Sequence, residues 1–164
     1  MKKFKKLFNS KGLKVVELPI PEGRSGMEFD YSLSYPIDPI QWYLYIKNAY
    51  AFCGLRFHAV GSCISSGTPF FSVDTYGNAS RFKWLLTLLG FYKLSLKGDG
   101  NSKINNLLLG SGFEEHRVDV YIENISPKYI YERIENTSRE KILRYRDSMV
   151  ALFMNNVSDL LNSI

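Results

Sequence analysis

Two short apolar runs, at 50–55 and 70–73, flank an uncharged stretch of small and apolar residues at 59–66, and the pattern predicts strand, helix, strand. Parallel strands need a crossover of this kind, so the segment reads as a βαβ unit with a right-handed connection. Upstream, Phe4, Leu7 and Phe8 recur at helical spacing between lysines, which predicts the last turns of an amphipathic helix over 2–9 that stops near Gly12. Residues 15–20 then form a β-branched strand bounded by Pro19 and Pro21, and 22–35 show no period and read as a loop. Asp38 and Pro39 supply an N-cap and a first helical residue for a helix over 38–48, packed on the sheet and leading into 50–55, taken as the central strand. After the second strand come a loop at 76–80, a helix at 81–89 ended by Gly90, a turn at 97–101 and an edge strand at 118–122. Ser126-Pro127 opens a helix to Glu135, and Ser138 caps a longer one to about Leu161. In that last helix Ile142, Tyr145, Met149, Leu152, Phe153, Val157 and Leu160 share one face, the signature of a core-facing stripe. The fold class expected is α/β: a Rossmann-like parallel sheet with flanking helices, plus a long C-terminal helix, in one domain over 1–164.

Composition narrows the partners. A chain of 164 residues with 45% apolar content can bury one sizeable core. Its net charge of +5, with Lys2, Lys3, Lys5 and Lys6 clustered at the start, suits anionic ligands. It falls short of the concentrated basic face that nucleic-acid binding demands, and no nucleic-acid partner is expected. Cys53 and Cys63 lack Cys-x-x-Cys spacing and read as buried thiols of a reducing compartment. No apolar run approaches the ~18 residues of a membrane span, and MKKFKKLF holds too little apolar sequence for a signal peptide. A cytoplasmic location follows, with the membrane periphery as the alternative for the lysine-rich helix. Glu114-Glu115-His116 reads as polar surface and Gly98-x-Gly100 as an ordinary turn, so neither a metal nor a cofactor is expected.

Candidate chemistry gathers where the first strand of the βαβ unit hands over to its helix. Arg56 and His58 fall in that turn, at the carboxyl end of a parallel strand, where ligands of such sheets collect. Free backbone N–H groups and the helix dipole favour an anion at the same point. A planar guanidinium holds carboxylate or phosphate in a fork, and an imidazole titrates near neutrality. Arg81 and Lys83 open the next helix, at the end where cations are unfavourable unless an anion lies nearby.

These residues resemble a known family. Leu55-Arg56-Phe57-His58-Ala59, an apolar helix, Gly67-Thr68-Pro69-Phe70, a strand, the Tyr76-Gly77 loop and a helix ending in Leu89-Gly90 are similar to the carboxyl-terminal half of the polysaccharide pyruvyl transferases. The Asp38-Pro39 helix ending in Lys47-Asn48-Ala49 and the stretch from Lys11-Gly12-Leu13 to Pro19 fit the same pattern. The resemblance implies the donor-side domain of a glycosyltransferase-B-like pair of Rossmann domains. It also implies transfer of the pyruvyl group of phosphoenolpyruvate to two hydroxyls of a sugar, giving a cyclic ketal in cell-surface polysaccharide synthesis, without a cofactor. On that resemblance His58 is the catalytic residue, and Arg56, Tyr76 and Arg81 bind substrate. The acceptor is a glycan or lipid-linked sugar. The family's Gly-Asn-x-Gly-Asp loop has no counterpart before Val15, so the expectation is either a separate chain that supplies the amino-terminal domain or a split or truncated gene product, and the isolated chain is expected to bind phosphoenolpyruvate weakly and turn over slowly or not at all. The alternatives are a nucleotide-sugar-binding glycosyltransferase domain and a non-catalytic subunit that binds an anion or a partner.

Overall fold

The strand-helix-strand unit at the centre of the sequence forms as a parallel pair, Phe52–Gly54 against Phe70–Asp74, with Phe52 opposite Phe70 and Gly54 opposite Ser72. The computed structural model describes residues 2–19, 28–54, 56–74, 103–119 and 126–162. Within them the elements are α1 (Lys2–Ser10), β1 (Val16–Glu17), β2 (Tyr31–Ser32), α2 (Pro39–Asn48), β3 (Phe52–Gly54), α3 (Phe57–Ser66), β4 (Phe70–Asp74), α4 (Lys103–Leu108), β5 (Arg117–Asp119), α5 (Pro127–Glu135) and α6 (Arg139–Asn162). The described residues are thus mixed α/β and mostly helical. One sheet has the order β3-β4-β5, all parallel, and β1 pairs with β2, also parallel, in a second.

Parallel strands buried on both faces require helices on both sides, and the core divides accordingly. Phe70 points to one face, where Ile46 of α2, Val60, Cys63 and Ile64 of α3, Ile104 and Leu108 of α4, Phe113 and Ile142 of α6 enclose it. Phe71 points to the other, against Phe8 of α1 and Ile130 and Ile134 of α5. Each of the two rings is 0% exposed, and burying a side chain of that size stabilises by about 1.5–3 kcal/mol. The cysteines lie on opposite faces, Cys53 with the second cluster and Cys63 with the first, and both are free thiols. Burial pushes both thiols up, that of Cys53 to about 12.

Local signals place the helix ends. The Asp38 carboxylate accepts from the Ile40 and Gln41 N–H groups, 2.8 and 3.1 Å away, with Pro39 following as the first helical residue. Ser126 caps α5 through the Tyr129 N–H, and Ser138 caps α6 through the Lys141 N–H. Gly12 ends α1 with a φ of 78°, and the lysine-rich helix lays Phe4, Leu7 and Phe8 against the second cluster. Its apolar face is therefore taken up by the fold.

Several expectations need correction. The central strand among the described residues is β4, with β3 at one edge, because β5 pairs with β4 and not with β3. The strand expected at 15–20 is two residues long, and its partner β2 lies inside the stretch read as a loop. Asp30 makes that pairing: its carboxylate accepts from the Val15 N–H at 2.8 Å and meets Lys5 Nζ at 3.2 Å. These contacts hold its carboxyl below the usual carboxylate range, the Val15 N–H contributing most. Helix α2 packs chiefly against α3 rather than on the sheet. The segments 76–80, 81–89 and 97–101 lie outside the described residues.

The terminal helix departs furthest from its expected role. Ile142 is fully buried and Tyr145 packs on the core, as the stripe predicts, but Met149, Leu152 and Phe153 are exposed, with Phe153 at 64%. Val150 and Met154 are exposed as well. Helix α6 is fixed along its first half, where Arg139 and Arg146 donate to the carbonyls of Ser66 and Ser65 at the carboxyl end of α3. Cations at that end complement the dipole and satisfy carbonyls left open by the helix. Gly67, φ 74°, closes α3, and a Cβ there would stand 2.9 Å from Arg139 Cγ and Leu143 Cγ. No described helix is long and apolar enough to cross a membrane.

Candidate functional site

Strand β3 ends at Gly54, and α3 begins at Phe57 rather than at Ala59 as the sequence suggested. Arg56, with φ −93° and ψ 121°, occupies the N-cap. Its carbonyl accepts from the N–H groups of Ala59 and Val60, at 3.1 and 3.2 Å. Unlike α2 and α5, this helix has no side chain capping its first turn. His58 is accordingly the second helical residue, one step inside the helix, and its ring meets that of Phe57 edge-on at 5.8 Å.

Arg56, Phe57 and His58 are all exposed, whereas Ala59 and Val60 immediately behind them are buried. The fold therefore sets the guanidinium and the imidazole on the solvent side of one helix start, at the carboxyl edge of the sheet. Tyr76 and Arg81, the other expected binding residues, lie outside the described residues. At the same edge Asp74 and Asp119 are register partners on β4 and β5.

One residue at this edge escapes sequence reasoning. Ser72 is opposite Gly54 in β4 and 0% exposed, and its Oγ has no hydrogen-bond partner among the described residues. It shares a strand face with Phe70, two residues away, and so lies on the side that α3 covers. A single hydroxyl in the run Phe70-Phe71-Ser72-Val73 was the available signal. A buried hydroxyl without a partner loses its hydration with no hydrogen bond to replace it and calls for an explanation.

Glu114-Glu115-His116 is not plain surface. These residues form a single 3-10 turn in which His116 is buried, its Nδ1 2.9 Å from the Phe70 carbonyl and its Nε2 3.1 Å from Thr137 Oγ1. The ring packs on Phe70 and Phe113. Burial holds its pKa below the ordinary histidine value. Glu115 pairs with Arg133, and no group of three or more metal-ligating residues occurs among the described residues. The triplet thus ties β4 to the joint between α5 and α6.

Chemically, the α3 start places a guanidinium able to make charge-assisted hydrogen bonds to an anion beside the His58 imidazole. No family model, no curated protein and no solved structure matches the chain.

Proposed function

We propose that the start of α3 binds a small organic phosphate or carboxylate, that this ligand is phosphoenolpyruvate, and that the chain is the donor-side half of a polysaccharide pyruvyl transferase. The observation that carries the reading is the placement of Arg56 and His58 at an uncapped helix start following a parallel strand. The likeness of Arg56-x-His58-Ala59 and Gly67-x-Pro69 to that family supplies the choice of donor. The doubly wound, glycosyltransferase-B-like architecture belongs to the same proposal. The three-stranded parallel sheet with helices on both faces supports it.

In this mechanism Arg56 holds the donor's anionic end, and Tyr76 and Arg81 complete the donor site. His58 protonates the methylene carbon, which becomes the methyl group. The adjacent carbon turns cationic and is attacked by one sugar hydroxyl. Inorganic phosphate departs with the proton of the first hydroxyl, the second hydroxyl closes the ketal, and its proton returns to His58. General acid catalysis of this kind accelerates a step by about 10² to 10⁴-fold. Orienting donor and acceptor can lower a barrier by ~7 to 11 kcal/mol, and the residues named here act on the donor alone. The isolated chain is expected to bind the donor and turn over slowly.

Thermal shift in the presence of phosphoenolpyruvate, UDP or CDP separates the readings. A ligand at a hundred times its Kd stabilises by about 2.7 kcal/mol, enough to move the midpoint measurably. A rise with phosphoenolpyruvate alone supports the proposal, and a rise with UDP or CDP alone replaces it with a nucleotide-sugar site. A second reading, a non-catalytic anion-binding subunit, is favoured by the exposed apolar residues Met149, Val150, Leu152, Phe153 and Met154 of α6. It predicts donor binding that His58→Ala leaves unchanged and no ketal formation with any amino-terminal partner chain.

A further inference from the structure

Helix α6 leaves the fold partway along its length. Ile142 is fully buried and Arg146 reaches the Ser65 carbonyl at 3.2 Å. Of the side chains described from Asp147 to Leu161, all are exposed except that of Val157, which is half-buried. The stretch is rich in poor helix formers, among them Val150, Asn155, Asn156 and Ser158, and a helix of about four turns is marginal in water unless an apolar face is covered. Such a face exists. Val150, Phe153, Val157 and Leu160 follow a three-four-three spacing, and at about 3.6 residues per turn they continue the line of Ile142 and Arg146 that meets the fold. Met149, Met154 and Leu161 border this stripe, and Leu152 lies off it.

We propose that the stripe pairs with the same stripe of a second copy of this chain, the two α6 helices running antiparallel about a two-fold axis level with Asn155. The direction follows from the fold, which occupies the stripe side of α6 as far as Arg146. A parallel partner helix would run into it, whereas an antiparallel one overlaps only the free half. In that register Val150 meets the second copy's Leu160 and Phe153 meets its Val157, a β-branched side chain against a larger one each time. The interface is isologous, the same patch serving both copies. Charge favours a second copy here. Between Ser148 and Asn162 the sole charged residue is Asp159, on the far side of the helix from the stripe, so two chains of net charge +5 meet where like charges are fewest. The carboxyl end of each helix also comes near Arg146 of the other, a cation that complements its dipole. Area agrees with this. Met149, Val150, Phe153, Met154 and Leu161 are each 42–66% exposed, and covering them removes roughly 1,000 Å² over two copies, the size at which specific interfaces begin. The pairing is independent of the anion site at the start of α3.

Sedimentation velocity on the full chain across a range of micromolar concentrations tests the proposal. The wild type is expected to pass from monomer to dimer as concentration rises, and Phe153→Lys to raise the dissociation constant at least about tenfold, as loss of a central apolar anchor does. Leu152→Lys adds the same charge off the stripe and is expected to dimerise like the wild type. Val157→Glu is expected to weaken self-association as Phe153→Lys does, and an equimolar mixture of these two variants to recover a dimer, because the antiparallel register sets position 153 of one chain against position 157 of the other. A wild type that stays monomeric throughout overturns the proposal and leaves the face to a different partner. Equal weakening by Leu152→Lys, or no recovery in the mixture, overturns it as well.

Discussion

Arg56 and Ser72, both at the carboxyl edge of the sheet, announce themselves differently. Arg56 is the one cation between an apolar strand and an uncharged helix, so sequence could single it out. Ser72 lies within an apolar run, and only the fold reveals that its hydroxyl is buried without a partner. Removing an unsatisfied buried hydroxyl is neutral or mildly stabilising when the group has no other role. Ser72→Ala is thus expected to hold or raise the urea midpoint, and weaker phosphoenolpyruvate binding in the same variant would add Ser72 to the site. Gly67 is a residue whose requirement is backbone geometry. Its φ of 74° and the close approach of Arg139 and Leu143 predict that Gly67→Ala costs about 1–2 kcal/mol, measured by chemical denaturation.

At the scale of elements, helix ends were the most legible part of the chain. Asp38-Pro39 and Ser126-Pro127 each carry a cap and a preset φ, and the structure uses both. Short strands were less so. Pairing of β1 with β2 depends on Asp30 reaching the Val15 N–H, a contact across 15 residues that no local pattern encodes. His116 was misjudged for a similar reason: its neighbours Glu114 and Glu115 look like surface, and its partners Phe70 and Thr137 are distant in sequence. Periodicity placed the whole stripe of α6 in the core because it registers a face without registering whether anything covers it. The structure covers Ile142 and leaves Leu152 open. Ile142→Ala is expected to cost about 2–5 kcal/mol, whereas Leu152→Ala stays within about 0.5 kcal/mol. Equal losses in paired urea titrations would mean that the second half of α6 is packed in solution.

Across the whole molecule, one parallel sheet with a core on each face explains why a single buried histidine can influence global stability. His116 has a folded pKa below its ordinary value, chiefly through burial, so the fold favours the neutral ring. The unfolded chain takes up a proton as pH falls past about 6.5 while the folded chain resists it. Its contribution is complete above that pH and shrinks on acidification toward the depressed folded value. The urea midpoint should fall between pH 7.5 and pH 5, and His116→Gln should flatten the slope over that window.

The same sheet sets the account of function, since its carboxyl edge is where α3 begins and where Arg56 and His58 emerge together. The most direct measurement is calorimetric titration of the wild type and Arg56→Ala with phosphoenolpyruvate, with inorganic phosphate as the comparison. A hydrogen bond to a charged group contributes about 1.5–3 kcal/mol, so saturable binding to the wild type should weaken by at least tenfold in the variant. Absence of saturable binding to the wild type, or equal affinity in the two proteins, would contradict an anion cradle at the start of α3.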